Sequence, residues 1–190
     1  MNRVHATLLS FCLLLAACGS VPPAPSDRFY RLQPVSVSSA SKALPGAVAV
    51  QAFRADSLYA ERPIIHAEES SLRQLRQYHY HLWLYPPAQM VQGHFVSSLG
   101  GALDLSGGSN AHYVMDGRIL GFERVLSGKN SKAVVALELR LLAGGKTLLN
   151  RTYQAEQAAA DDSLDAFAVA MEQALAKIYT EFLADLARTR

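Results

Sequence analysis

The chain has 190 residues, half of them apolar, and a formal net charge of +2. That size suits one domain with a substantial core, and 18 basic against 16 acidic residues, with no basic run, speaks against a nucleic-acid partner. Two cysteines, Cys12 and Cys18, are too few for a cysteine zinc site.

The amino terminus is basic at Arg3 and runs into an apolar stretch from Ala6 to Ala17. That stretch is about 12 residues, short of the roughly 20 that a bilayer-spanning helix needs, and it has the length and flanks of a secretory h-region. It closes with Leu15-Ala16-Ala17-Cys18, which resembles the lipobox of bacterial lipoproteins. In that class the cysteine thiolate accepts a diacylglyceryl group, the bond before it is cut, and an N-acyl chain of the palmitate type is added. Cys12 would leave with the signal, so the mature chain would keep one sulfur and form no internal disulfide. The plainer alternative is an ordinary secreted protein, cut nearby, with Cys18 as a free thiol. Gly19 follows rather than Asp; by analogy with enterobacterial sorting this points to the outer membrane, periplasmic face. Residues 19–27 hold three prolines and read as an extended spacer with a reach of roughly 28 Å. The chain thus divides into a signal (1–17), a lipidated cysteine with its tether (18–27) and one periplasmic domain (28–190).

Phe29 to Leu32 reads as a short first strand, and the Ser-rich stretch Ser36 to Gly46 as a loop. Val48 to Phe53 is a strand, with Val48, Val50 and Ala52 alternating against Ala49, Gln51 and Phe53. Pro63-Ile64-Ile65-His66 begins another. In Leu72 to Leu84 the C-terminal half reads as a strand, with Tyr78, Tyr80, Leu82 and Leu84 on one parity and His79, His81 and Trp83 on the other. Pro86-Pro87 starts a helix, since proline suits a first helical turn. Val91, Phe95, Leu99 and Ala102 recur at helical spacing toward the core, and Gly100-Gly101 weakens the helix end. A Gly/Ser/Asn loop at 107–110 leads to a meander. Tyr113 to Val125 is followed by a turn at Ser127-Gly128-Lys129-Asn130. A strand with Ala133, Val135, Leu137, Leu139 and Leu141 on one face comes next, then a tight Gly144-Gly145 turn and a return strand from Thr147 to Ala155. Glu138 and Arg140, on the other face, read as solvated surface. The last element is a long helix that Asp162 or Ser163 can cap, with Asp165 in its first turn. Its apolar stripe is Leu164, Phe167, Met171, Leu175, Ile178, Phe182 and Leu186, opposite Glu172, Glu181 and Asp185; such a stripe packs on a sheet. The sum is α/β: a single mixed sheet with an antiparallel meander, covered by at least two helices including a long C-terminal one. The connection through the Pro86 helix should be a right-handed crossover if its flanking strands are parallel.

Motifs for catalysis are missing: there is no Gly-x-Ser-x-Gly, His-Glu-x-x-His or phosphate loop. His79 and His81 lie two apart, so on a strand they share a face and could ligate zinc with a third ligand from His66, His94 or His112. A polar sheet face is the simpler account. Glu68-Glu69 beside Ser70-Ser71 reads as exposed, and Asp161-Asp162 as helix capping.

Several segments together resemble a known family. They are the lipobox, Arg28-Phe29-Tyr30-Arg31-Leu32 after it, Leu58-Tyr59-Ala60-Glu61-Arg62-Pro63-Ile64-Ile65, and Tyr78-His79-Tyr80-His81-Leu82-Trp83 followed by Pro86-Pro87. The family is the ABC-type transport auxiliary lipoproteins. The resemblance implies a non-catalytic outer-membrane subunit of an intermembrane lipid-transport system, with no cofactor beyond the diacylglyceryl and N-acyl lipid on Cys18. It implies, as partners, an MCE-domain tunnel protein and the associated inner-membrane transporter; because such tunnels are rings, it is compatible with a homo-oligomer. Leu84-Tyr85 departs from the charged or small residue that often follows the Trp in that family. Exposed aromatics and arginines are the anchors to test: Tyr59, Arg62, Tyr78, Tyr80 and Trp83, although Trp83 is better suited to a core role, filling the strand-to-helix corner, and Tyr78 and Tyr80 are equally suited to lining the sheet face. Two further readings stand beside docking: a periplasmic lipid carrier with its own apolar pocket, and an envelope hydrolase.

Overall fold

The computed structural model describes residues 25–37, 43–106, 108 and 110–188. The signal, Cys18 and most of the tether lie outside them, as do residues 38–42, 107 and 109. Among the described residues, eight strands form one mixed sheet: β1 Arg28–Tyr30, β2 Val48–Val50, β3 Arg54–Ala55, β4 Pro63–Glu68, β5 Arg76–Trp83, β6 Tyr113–Ser127, β7 Asn130–Ala143 and β8 Lys146–Ala158. Two helices accompany it, α1 Pro87–Leu99 and α2 Leu164–Arg188. The strand order is β1-β5-β4-β6-β7-β8. The long strand β6 organises the sheet. One of its edges pairs antiparallel with β7, and the other receives β2, β3 and β4 in succession, all parallel.

The meander is as expected. Gly128, Gly144 and Gly145 have positive φ, which L side chains adopt only at a cost, so these turns need glycine. Ala133, Val135, Leu137, Leu139 and Leu141 are all fully buried, as are Phe167, Met171, Leu175, Ile178, Phe182 and Leu186 of α2. Val91, Phe95 and Leu99 add α1 to the same core, with Ala102 just beyond its end. The two helices thus share one sheet face, and aromatic contacts join the layers. The Phe95 ring centroid lies 5.6 Å from Phe53, 5.2 Å from Tyr179 and 5.9 Å from Phe182. Gly117 of β6 makes room for this layer, since a Cβ there would stand 2.7 Å from the Phe53 ring.

Several details differ from the sequence reading. The strand from Val48 breaks at Val50 and resumes at Arg54; Val48 and Phe53, of opposite parity, are both buried. In the Ser-rich loop Ala43 and Leu44 are buried, with the Ala43 amide donating to the Ala102 carbonyl at 2.9 Å. The strands flanking α1 are not parallel: β5 is antiparallel to β4 and β4 parallel to β6, so the crossover rule does not apply. Ser163, not Asp162, caps α2, its Oγ accepting the Ala166 amide at 3.0 Å, while Asp161 accepts the Ser163 amide. Asp185 is the clearest correction. It is buried in the helix–sheet interface rather than on the solvent face of α2. The reason lies on β8: Tyr153 Oη donates to its carboxylate at 2.8 Å and Arg151 at 2.7 Å, with Arg188 on the other oxygen. Burial alone would raise the Asp185 pKa, but these donors and charges outweigh it and hold the carboxyl below its ordinary value.

Candidate docking surface

The five residues singled out as anchors do not form one patch. Trp83 is 1% exposed, packed against Phe122 and Phe167 at 5.3 and 5.8 Å between ring centroids, so it is a core residue and is removed from the anchors. The Tyr59 hydroxyl donates to Glu123 Oε2 at 2.5 Å; burial first, then that carboxylate, hold its proton far more tightly than in water. Arg62 spans the sheet edge. Its Nε donates to the Trp83 carbonyl at 3.1 Å and its guanidinium sits 5.0 Å from the Phe29 ring centre. Tyr80 is exposed, with its ring near that of His79.

Tyr78 belongs to a polar cluster at the start of α2. The β4–β5 register passes from Pro63↔Leu82 directly to Ile65↔Gln77, so residues 78–81 bulge out of the ladder and simple alternation fails. The bulge sets the Tyr78 ring 4.4 Å from His66 and edge-on to His81 at 5.5 Å, while the Tyr30 hydroxyl lies 3.0 Å from His81 Nδ1. Behind them Arg124, almost fully buried, donates to the Tyr78 hydroxyl at 3.0 Å, and to the Asp162 carbonyl and carboxylate at 2.7 and 2.8 Å. Asp162 is therefore the counter-charge to Arg124 rather than a cap. Burial lowers the pKa of His66 against the upward pull of Glu68, with Arg76 and Arg124 adding to the depression; burial, Arg28 and Arg124 lower that of His81. Both rings are neutral at pH 7. Among the described residues no group of three His, Cys, Asp or Glu could hold a metal ion, so His79 and His81 have no third ligand beside them there.

A different surface lies at the β1 edge. After β1, residues 31–37 run without regular structure across both helices, and side chains satisfy their backbone. The Gln33 amide donates to Glu172 Oε1 at 2.6 Å, its carbonyl lies 2.9 Å from His94 Nε2, and the Val35 amide donates to Ser98 Oγ at 3.1 Å. A carbonyl only accepts, so His94 carries its proton on Nε2 and its Nδ1 accepts from the buried Tyr179 hydroxyl at 3.0 Å. This strap and α1 enclose an open groove of about 750 Å³, lined by Arg31, Leu32 and Pro34, by Met90 and Val96 of α1, and by Leu84 and Tyr85. Sequence reasoning placed Leu84 in the strand on the parity of Tyr78, Tyr80 and Leu82, and noted the pair Leu84-Tyr85 only as a departure from pattern. A signal was present: Trp83-Leu84-Tyr85 is a run of three large apolar residues at a strand end, and one sheet face cannot bury all three.

The family model for ABC-type transport auxiliary lipoprotein components matches residues 30–182. Among solved structures, protein XCC0632 from Xanthomonas campestris, assigned to the family model DUF330, is 20% identical with a TM-score of 0.72, over 85% of this chain and 96% of its own. A second crystal structure, of an uncharacterised protein, is 18% identical with a TM-score of 0.65, over 86% and 98%. At these identities the likeness is one of fold. No curated protein matches.

Proposed function

The chain belongs to the family of ABC-type transport auxiliary lipoprotein components, and from that premise we propose that it is a non-catalytic docking subunit of the outer membrane. Diacylglyceryl and N-acyl groups on Cys18 fix it to the periplasmic face. The domain seats the tip of an MCE-domain tunnel protein whose inner-membrane transporter lies at the far end.

The observation that carries this reading is the family match across the domain. The packing is in keeping with it: the rings of Phe53, Phe95, Tyr153, Tyr179 and Phe182 meet between helices and sheet. A lipid carrier would need an enclosed, lipid-sized cavity there. A hydrolase would need a nucleophile beside a base, and the polar cluster offers two histidines and an arginine around a tyrosine. Buried acyl chains contribute about 0.8 kcal/mol per methylene, so two or three make attachment effectively permanent.

Two measurements test the proposal. Replacing Cys18→Ala should move the protein from the membrane pellet to the soluble fraction; unchanged pelleting refutes lipidation. Affinity capture of the acylated protein from detergent-solubilised membranes, read by mass spectrometry, should recover an MCE-domain protein. Recovery of none, while other envelope complexes survive, refutes the docking role.

A further inference from the structure

We infer that the groove between the strap and α1 is the face of the domain that lies on the lipid headgroups, with Leu84, Tyr85 and Val96 entering the interfacial layer and Arg28 and Arg31 meeting lipid phosphates. The inference rests on anchorage through Cys18 and goes beyond it by orienting the domain.

Three observations point to this edge. Leu84, Tyr85 and Val96 are large apolar residues left 37%, 51% and 37% exposed, and all three line one groove. Clustered exposure of this kind marks a contact surface, and a tyrosine, apolar in body and polar at the tip, suits a bilayer interface. The cations come next. Arg54, Arg118, Arg124, Arg140, Arg151 and Arg188 are all held in ion pairs. Arg62, Arg73, Arg76, Lys129, Lys146 and Lys177 share with Arg28 and Arg31 the lack of an ion pair among the described residues. What sets Arg28 and Arg31 apart is place, since Arg31 is exposed and lines the groove and Arg28 is exposed at the start of β1, three residues before Arg31. The third is chain length. From Cys18 to Arg28 an extended chain reaches at most about 36 Å, while a domain of this size is about 40 Å across. The edge where the chain enters β1 is therefore never more than about 36 Å from the anchor, whereas β8, five strand spacings or roughly 24 Å farther along the sheet, can lie up to about 60 Å away. Tethering also raises the local concentration of the groove at the surface, so a weak contact suffices.

The test uses the acylated protein in vesicles of phosphatidylethanolamine and phosphatidylglycerol. The mature chain keeps only Cys18, whose sulfur is acylated, so an introduced cysteine is the single reactive thiol. An environment-sensitive fluorophore is placed at Tyr85→Cys or Val96→Cys, and at Leu148→Cys on β8 as the distant control, with Trp83 fluorescence reporting that each variant is folded. Pelleting with vesicles is measured first, then quenching by lipid-borne quenchers. The expected result is strong quenching at 85 and 96 and little at 148. Arg28→Gln or Arg31→Gln should lower the ratio of docked to undocked protein about fivefold each. Equal quenching at all three sites overturns the inference while leaving anchorage intact. So do labels at 85 and 96 that stay in water until a protein partner is added. Failure to pellet refutes the anchor and takes this orientation with it.

Discussion

His94 gives the sharpest thermodynamic prediction. It is 4% exposed, and burial depresses its pKa from 6.5 to about 4, against a smaller upward pull from its bond to the Gln33 carbonyl. In the unfolded chain the ring takes up a proton as pH falls through about 6.5, while in the folded protein it resists until about 4. Between these values the unfolded state holds more protons, so stability is full above the upper value and declines as pH drops toward the lower. The complete loss is about 3 kcal/mol, of which about 2 falls between roughly pH 7.5 and pH 5. His66 and His81 shift in the same direction, so the measurement is a difference between variants. His94→Gln keeps a donor for Gln33 and cannot titrate. At neutral pH it should cost about 1–2 kcal/mol, because the Tyr179 hydroxyl loses its acceptor. Its acid sensitivity should be smaller than the parent's by about 2 kcal/mol over the same pH interval. The assay is urea unfolding followed by the fluorescence of Trp83, the single and fully buried tryptophan. Parent and variant curves that fall in parallel between the two pH values would refute the assignment of this slope to His94.

Two packing predictions accompany it. Gly117→Ala should destabilise the domain by about 1–3 kcal/mol, because the new methyl meets the Phe53 ring; Phe53→Leu in the same chain should recover part of the loss, and a Gly117→Ala melt indistinguishable from the parent would show the ring to be free to move. Asp185→Ala should cost about 2–3 kcal/mol by leaving the Tyr153 hydroxyl buried without its acceptor. Tyr153→Phe in the Asp185→Ala background should then be close to neutral in calorimetry; a second, additive loss would mean the two residues act apart.

The split between sequence and tertiary structure runs along the reach of the interactions. Periodicity was enough for the meander and α2, because one-sided burial writes itself into the sequence at steps of two or of three and four. It was enough also for the core role of Val91, Phe95 and Leu99, and the ordered motifs pointed to the family before any coordinate did. Asp185 shows where that stops. Its helical phase, seven residues after Ile178 and three after Phe182, lies on the apolar stripe; its charge made it read as solvent-facing, and only Arg151 and Tyr153, brought over on β8, make its burial favourable. The bulge at residues 78–81 turned an apparent alternation of tyrosines and histidines into a cluster around Arg124, while Trp83, just beyond it, is buried in the core role the sequence favoured for it. The groove needed three distant segments at once: the strap after β1, the residues beyond β5, and α1. Local patterns record which face of an element is apolar; which polar partner waits opposite, and which apolar residues are left over at an edge, is decided only when segments far apart in the chain are packed together.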